Sequence, residues 1–405
     1  MKRIVVLGAG FAGLIAAVGA ARKLAELKIG RSDVAVTIVN RDPWHSIRVR
    51  NYEADLSGVR VPLADIMAPI GVEMVIGEVT GIDPARREVA LAGQPALPYD
   101  RLVVALGSEL VRPPIPGLAE YGFDIDTFAA AEQLAAHLAA LPGRPDSPGR
   151  FTALVVGGGL TGVEMATELA TKLRDIAGAA PGMHDETARI ILADRAARIG
   201  SNMGDQACAV IDEALAALGV ETRPGVTIAA VDARGVRLES GETIAAETVI
   251  WCAGMRANPL VAALPGEHDR FGRIAVDRFL NVPPLPGLFA TGDAAAARVD
   301  GEHASVMSCQ HARPMGRIAG HNVVCDLVGE PMIPLEIGYY VTCLDLGAWG
   351  AVYCQGWDRQ VTATGAEAKQ TKQTINRRRI YPPRSGDPAD ILAAAAPLVQ
   401  APPRP

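Results

Sequence analysis

The stretch Ile4–Ala16, IVVLGAGFAGLIA, constrains the fold more than any other because it recurs as Leu154–Ala166, LVVGGGLTGVEMA. Each copy reads as an apolar β run, a glycine-rich turn and the start of a helix of small residues. Gly8, Gly10 and Gly13 form the first G-x-G-x-x-G, and Gly157, Gly159 and Gly162 the second. The first glycine of such a turn permits the tight bend. The second lets the backbone approach a pyrophosphate, and the third lets helix and strand pack closely. A lone copy is weak evidence, since structural turns use glycine too. Here each copy follows a strand and opens a helix, whose N-terminus offers about half a positive charge to a phosphate.

Strands alternate with helices through both units, so the expected class is α/β with parallel, doubly wound sheets. Two tandem Rossmann-like domains are expected, one interrupting the other. The boundaries read as 1–115 for the first part of one nucleotide-binding domain, 116–265 for a second inserted in it, 266–335 for the return to the first, and 336–405 for a β-rich C-terminal piece and tail. GYYVTCLDLGAWGAVYCQGW alternates about a glycine-rich turn, as a hairpin does. A helix is expected over about 309–328.

The second strand of such a unit normally ends in an acid that reads the ribose. In the first unit Asn40 stands there, followed by Arg41, at a spacing beyond the usual ~20 residues that LAELKIGRSD accounts for. Asn40 still has hydrogen-bonding groups for a ribose hydroxyl. In the second unit the strand ends in Asp194, which favours NADH over NADPH, although Arg195 and Arg198 stand near enough to welcome a 2′-phosphate. As a plain alternative, Asp194 is a strand-end cap. Two dinucleotide sites imply a bound flavin and a visiting nicotinamide.

The remaining composition narrows the setting. Net charge is −6, which speaks against nucleic acid as a partner. The six cysteines include no Cys-x-x-Cys, so neither a zinc site nor a disulfide framework is expected, and a reduced cytoplasmic protein is. The N-terminal glycines break what would otherwise resemble a secretory leader.

At this level the chain resembles the two-dinucleotide flavoproteins related to glutathione reductase. The likeness rests on the two turns and on RLVVALGSE, ETVIWCAGMRANPL and GLFATGDAA. Within that group it is similar to the type II NADH dehydrogenases. The long ELATKLRDIAGAAPGMHDETA insertion carries part of that similarity. SCQHARPMGRIAGHN carries the rest, matching their Ala-Gln-x-Ala-x-x-Gln-Gly motif at Gln310, Ala312 and Gly316, with Cys309 and Met315 departing. The resemblance implies FAD and NADH as cofactors and a quinone-like acceptor. It implies cofactor contacts at Phe11, Ala12, Ala105, Gly107, Gly254, Gly292, Cys309 and Ala312, and places Asp293 on the flavin ribityl chain. It puts Glu164 beside the nicotinamide and the flavin, to orient the ring or relay a proton, and Gln310 at the acceptor. Read from residues alone, Glu164 is equally a first-turn helix acid favoured by the dipole. Met315 replaces a glutamine that would line the quinone pocket.

Disulfide reductases of this group carry a cysteine pair near NRDPWHSIRVRNYE, which has none. Cys343 and Cys354 are candidates to face each other across the hairpin, with buried reduced thiols as the bland reading. The tail GAEAKQTKQTINRRRIYPP lacks an apolar face, so membrane contact is limited to Lys369, Lys372 and three arginines on anionic head groups. A homodimer is expected from related proteins. Two other functions stand beside the NADH dehydrogenase reading: a reductase for a ferredoxin or rubredoxin, and an NADH-binding sensor or assembly partner with little turnover.

Overall fold

The computed structural model describes residues 1–179 and 188–403, so the second half of the 168–188 insertion lies mostly outside the described residues. Two five-stranded parallel sheets form the frame. The first runs in the order Leu288–Ala290, Arg101–Val104, Lys2–Leu7, Val34–Asn40, Glu73–Ile76. The second runs Gly122–Phe123, Thr248–Trp251, Thr152–Val156, Arg189–Asp194, Val220–Pro224. In each, the strand leading into the glycine turn is central. Ile4–Leu7 and Ala153–Val156 are buried, which is why both read as continuous apolar runs rather than alternating ones. Leu288–Ala290 enters the first sheet only after the chain has built the second, so the second unit is nested in the first. Where the chain leaves the first unit and where it returns, Ser108–Leu110 and Met255–Ala257 pair antiparallel.

The apolar run EMVIGEVTGI, residues 73–82, forms two strands. It divides at Gly77 into Glu73–Ile76, in the parallel sheet, and Val79–Asp83, in a small antiparallel sheet. VTIAAVDARGVRLES likewise holds two strands, Ile228–Asp232 and Gly235–Leu238, folded back on each other.

Helices Phe11–Glu26 and Cys309–Val328 lie side by side. A Cβ on Gly316 would fall 2.4 Å from the Ala12 carbonyl oxygen, and one on Gly320 would fall 2.3 Å from that of Ala16. Only glycine admits this approach. The contacts advance together along both helices, so the two run in the same direction and begin at the same end of the molecule. Ser308 caps the second of them by accepting the His311 amide at 3.3 Å, and Pro314 falls in its second turn without ending it.

The C-terminal hairpin pairs Val341–Asp345 with Ala351–Gln355. Cys343 stands opposite Tyr353, and Cys354 opposite Thr342, so the thiols point to opposite faces and do not meet. Helix Gly365–Thr374 follows and continues into a wider turn, Ile375–Arg379. Among the described residues no helix is long and apolar enough to cross a membrane.

Candidate functional site

The two turns are built alike. Gly8 and Gly157 sit at φ +92° and +119°, a region that favours glycine. A Cβ on Gly13 would lie 1.9 Å from the Gly8 carbonyl oxygen, and one on Gly162 1.7 Å from that of Gly157. These third glycines are packing residues. Gly10 and Gly159 are the helix N-caps, with no side chain bonded to the first-turn amides and open space where a Cβ would stand. Unpaired amides facing open space suit a pyrophosphate at both turns.

Asn40 and Asp194 share one local task. Asn40 Oδ1 accepts the Ala9 amide at 3.0 Å, and Asp194 Oδ2 accepts the Gly158 amide at 2.5 Å, each the residue after the first glycine. The Asn40 amide group donates to the carbonyl oxygens of Asp42 and Trp44, so this side chain is largely committed to its own turn. Asp194 also accepts the Ala196 amide at 2.7 Å. Arg198 reaches Asp212 at 3.0 Å and Asp205 at 3.4 Å, which ties it to acids instead of leaving it for a 2′-phosphate.

A cavity of about 1150 Å³ runs from the first turn toward the C-terminal hairpin. On its wall are Gly8, Gly10, Phe11, Ala12, Asn40, Arg41, Ala105 and Gly107. Asp293, Cys309, Gln310, Ala312 and Glu164 line it too. Gly13, Gly157, Gly159, Gly162, Asp194, Gly254 and Gly292 are not on that wall; the second turn borders it through Leu160, Thr161 and Glu164. Gly292, at φ +65°, is needed where a Cβ would fall 2.7 Å from the Ala12 Cβ. Gly254, at φ +85°, turns the chain so that its carbonyl accepts the Val111 amide at 3.0 Å.

Asp293 anchors a polar chain. The Ser108 hydroxyl donates to Asp293 Oδ2 at 2.7 Å, and Arg48 donates to the Ser108 hydroxyl and carbonyl, both at 3.0 Å, while pairing with Asp126. Burial pushes the Asp293 carboxyl up, and the Ser108 hydrogen bond opposes this. His45 donates from Nδ1 to the Ala9 carbonyl at 2.8 Å, and burial holds it down at about 4, neutral.

At the other end, Glu164 meets a residue the sequence did not single out for it. Lys372 Nζ donates to Glu164 Oε1 at 2.8 Å, with side chains 10% and 12% exposed. The Asp345 amide donates to the same oxygen at 3.1 Å, and Lys372 also donates to the Cys343 carbonyl. Burial pushes the Glu164 carboxyl up, with Lys372 pulling against it. Burial alone would lower Lys372, but the Glu164 charge and hydrogen bond, with Cys343 and Asp345 beside them, together more than reverse this and keep it cationic. Lys369 pairs with Asp345 and donates to the Gly347 carbonyl at 3.0 Å. The expectation that Lys369 and Lys372 face lipid head groups is therefore corrected: both turn inward onto carboxylates, and of that segment's cations only Arg377 and Arg378 are exposed.

Gln310 Oε1 accepts the Val341 amide at 3.0 Å, tying the helix to the hairpin beside the cavity. Met315 is fully buried in the first core and is not on the cavity wall, so the glutamine-to-methionine change leaves the pocket lining untouched. Burial pushes the Cys309 thiol up, and all six cysteines are free.

A family model described as pyridine nucleotide-disulphide oxidoreductase matches residues 2–316. The NADH dehydrogenase-like protein Rv1812c of Mycobacterium tuberculosis is 54% identical over 405 residues, covering 100% of both chains. A type II NADH:quinone oxidoreductase of Staphylococcus saprophyticus is 29% identical over 94% of this chain and 95% of its own. The structure of NDH2 from Plasmodium falciparum in complex with NADH superposes with a TM-score of 0.75 at 12% identity, over 97% of each chain. Nested parallel sheets, paired glycine turns and the family match agree: the chain belongs to the pyridine nucleotide-disulphide oxidoreductase family.

Proposed function

We propose that the protein is an NADH dehydrogenase that holds FAD on its first glycine turn, takes NADH on its second, and delivers electrons to a quinone-like small acceptor. The observation that carries this reading is the one cavity that reaches from the first turn, past Asp293, to Glu164 and Gln310. In this reading 1–115 and 266–335 hold the flavin, 116–265 holds NADH, and 336–405 covers the acceptor end. A flavin in that cavity supplies two-electron acceptance from a dihydronicotinamide and onward transfer to the quinone. The first-turn amides of Phe11–Glu26 receive its pyrophosphate, and Asp293, steadied by Ser108 and Arg48, binds the ribityl hydroxyls. Ala105 and Gly107 border the same space. Glu164 and Lys372 hold one proton between Oε1 and Nζ at the cavity wall. Quinone reduction consumes two protons with two electrons, so this pair stands where a proton is required.

Anaerobic mixing with NADH, watched at the flavin band, should bleach it rapidly, and a soluble naphthoquinone should restore it. NADH should exceed NADPH by at least about tenfold in kcat/KM, because the acid Asp194 ends the second strand and disfavours a 2′-phosphate there, and Arg198 is held by acids, leaving Arg195 as the one cation of that turn to oppose it. Asp194→Ser should cut NADH efficiency about tenfold. A colourless protein that takes up no FAD, or equal use of NADPH, would sink the corresponding part. We further propose a cytoplasmic protein with at most loose membrane contact through Arg377 and Arg378. After cell fractionation it should leave the membrane pellet in a high-salt wash; retention there would refute this.

A further inference from the structure

At the acceptor end of the cavity stands positive charge that no carboxylate of the described residues pairs with. On helix Cys309–Val328, Arg313 and Arg317 stand one turn apart and are 9% and 5% exposed. Arg379 and the Tyr339 hydroxyl are near enough to act electrostatically on both. Their partners are neutral: Arg313 donates to the Arg379 carbonyl, and Arg317 Nε to that of Ala394 at 3.1 Å. Arg379 donates to the Ala401 carbonyl and to the Tyr339 hydroxyl. Arg317 Nη1 is buried with no partner. Among the described residues, Arg317 feels Arg313 and Arg379 as like charges and Arg313 feels Arg379, and against them stand the Tyr339 hydroxyl and, for Arg313, the Cys309 thiol. Burial and this like-charge crowding bring Arg317 down to about 10.

Burying a cation without a counter-charge is unfavourable, and burying two beside a third compounds it. Guanidinium forks match the geometry of a carboxylate. The phosphates of the two dinucleotides have their own cradles at the glycine turns, so this cluster is left for a third molecule. Arg313, Arg379 and Tyr339 share the cavity wall with Cys309, Gln310 and Lys372. An acid group held by the arginines therefore belongs to a molecule whose remainder lies at the acceptor position.

We propose that the electron acceptor is itself an acid: a flat quinone-type ring bearing one carboxylate. Its ring lies by Gln310 and Cys309, and its carboxylate sits on Arg313 and Arg379 with Arg317 behind them. This rests on the NADH:quinone reading and names the substrate class of that site. NADH gives up a hydride and becomes NAD⁺. The hydride's two electrons and proton, with one further proton, convert the two ring carbonyls to hydroxyls, and the carboxylate is unchanged.

The test uses the flavin-loaded protein and two non-reducible ligands of one shape, 2-naphthoate and 2-naphthamide. Binding is followed by calorimetry and by perturbation of the flavin band. Naphthoate should bind at least about tenfold more tightly than the amide, since only it makes the charge-assisted pair. Arg313→Gln should reduce that preference to within about twofold, and Arg379→Gln, at a more exposed position, should reduce it too. Equal binding of the two ligands by the unmodified protein overturns the proposal, whatever the variants do. The same samples are assayed with NADH and a neutral naphthoquinone. Turnover there with equal ligand binding removes this inference alone, whereas no turnover with any quinone removes the underlying function and this inference with it.

Discussion

Lys372→Met should lower the unfolding free energy by about 3–5 kcal/mol at pH 8, because it leaves the Glu164 carboxyl buried without its counter-charge. The loss should shrink toward pH 5. In the variant the folded state keeps the Glu164 proton well above the ordinary carboxyl pKa of about 4.3, whereas the unfolded chain releases it there. Above that value the unfolded state binds fewer protons than the folded one, so stability falls as pH rises. Adding Glu164→Gln removes the orphaned charge and should recover most of the deficit. Denaturant unfolding of the two single variants and the double variant at both pH values measures this, and strictly additive losses would show that the pair is not coupled. Glu164→Gln alone should also slow the anaerobic NADH and quinone half-reactions by about tenfold or more, if the pair holds the proton used there. Unchanged stopped-flow rates would remove Glu164 from the reaction.

Gly13→Ala and Gly162→Ala should separate the two halves of the protein. Each new methyl meets a backbone carbonyl at under 2 Å, and a carbonyl fixed in a tight turn has no rotamer by which to retreat. Strand and helix must part, at a cost of about 1–3 kcal/mol, and the phosphate cradle opens with them. Gly13→Ala should purify without flavin. Gly162→Ala should keep its flavin yet fail to be bleached by NADH at concentrations that saturate the parent. Rapid bleaching of Gly162→Ala would mean that the second turn is not the nicotinamide cradle.

Much of the frame was legible because local chemistry and global fold agree in it. A buried parallel strand must be an unbroken apolar run, and a turn at positive φ that a helix packs against must be glycine. The helix from Cys309 was visible too, although its Ser308 cap emerges only in the structure. The partner of Glu164 was not. Lys372 sits on a segment polar on nearly every face, and such a segment reads as solvated until a hairpin turns one side of it inward. Lys369 was misread in the same way. Met315 was read through a motif as a pocket residue, but one helix position decides between cavity and core, and a motif does not carry that rotation. Arg313 and Arg317 drew no notice for a related reason. Charged residues on a helix suggest solvent, and only the tail folding over them makes them unusual.

The close parallel approach of Phe11–Glu26 and Cys309–Val328 has a thermal consequence. Two peptide dipoles aligned side by side with like ends together repel, and at the separation allowed by Gly316 and Gly320 little lies between to screen them. A multiply charged anion across both ends turns that repulsion into attraction. Occupancy and heat resistance are then linked: stripping the dinucleotide from the protein should lower its melting temperature by more than the lost contacts alone would account for, and restoring it should return both.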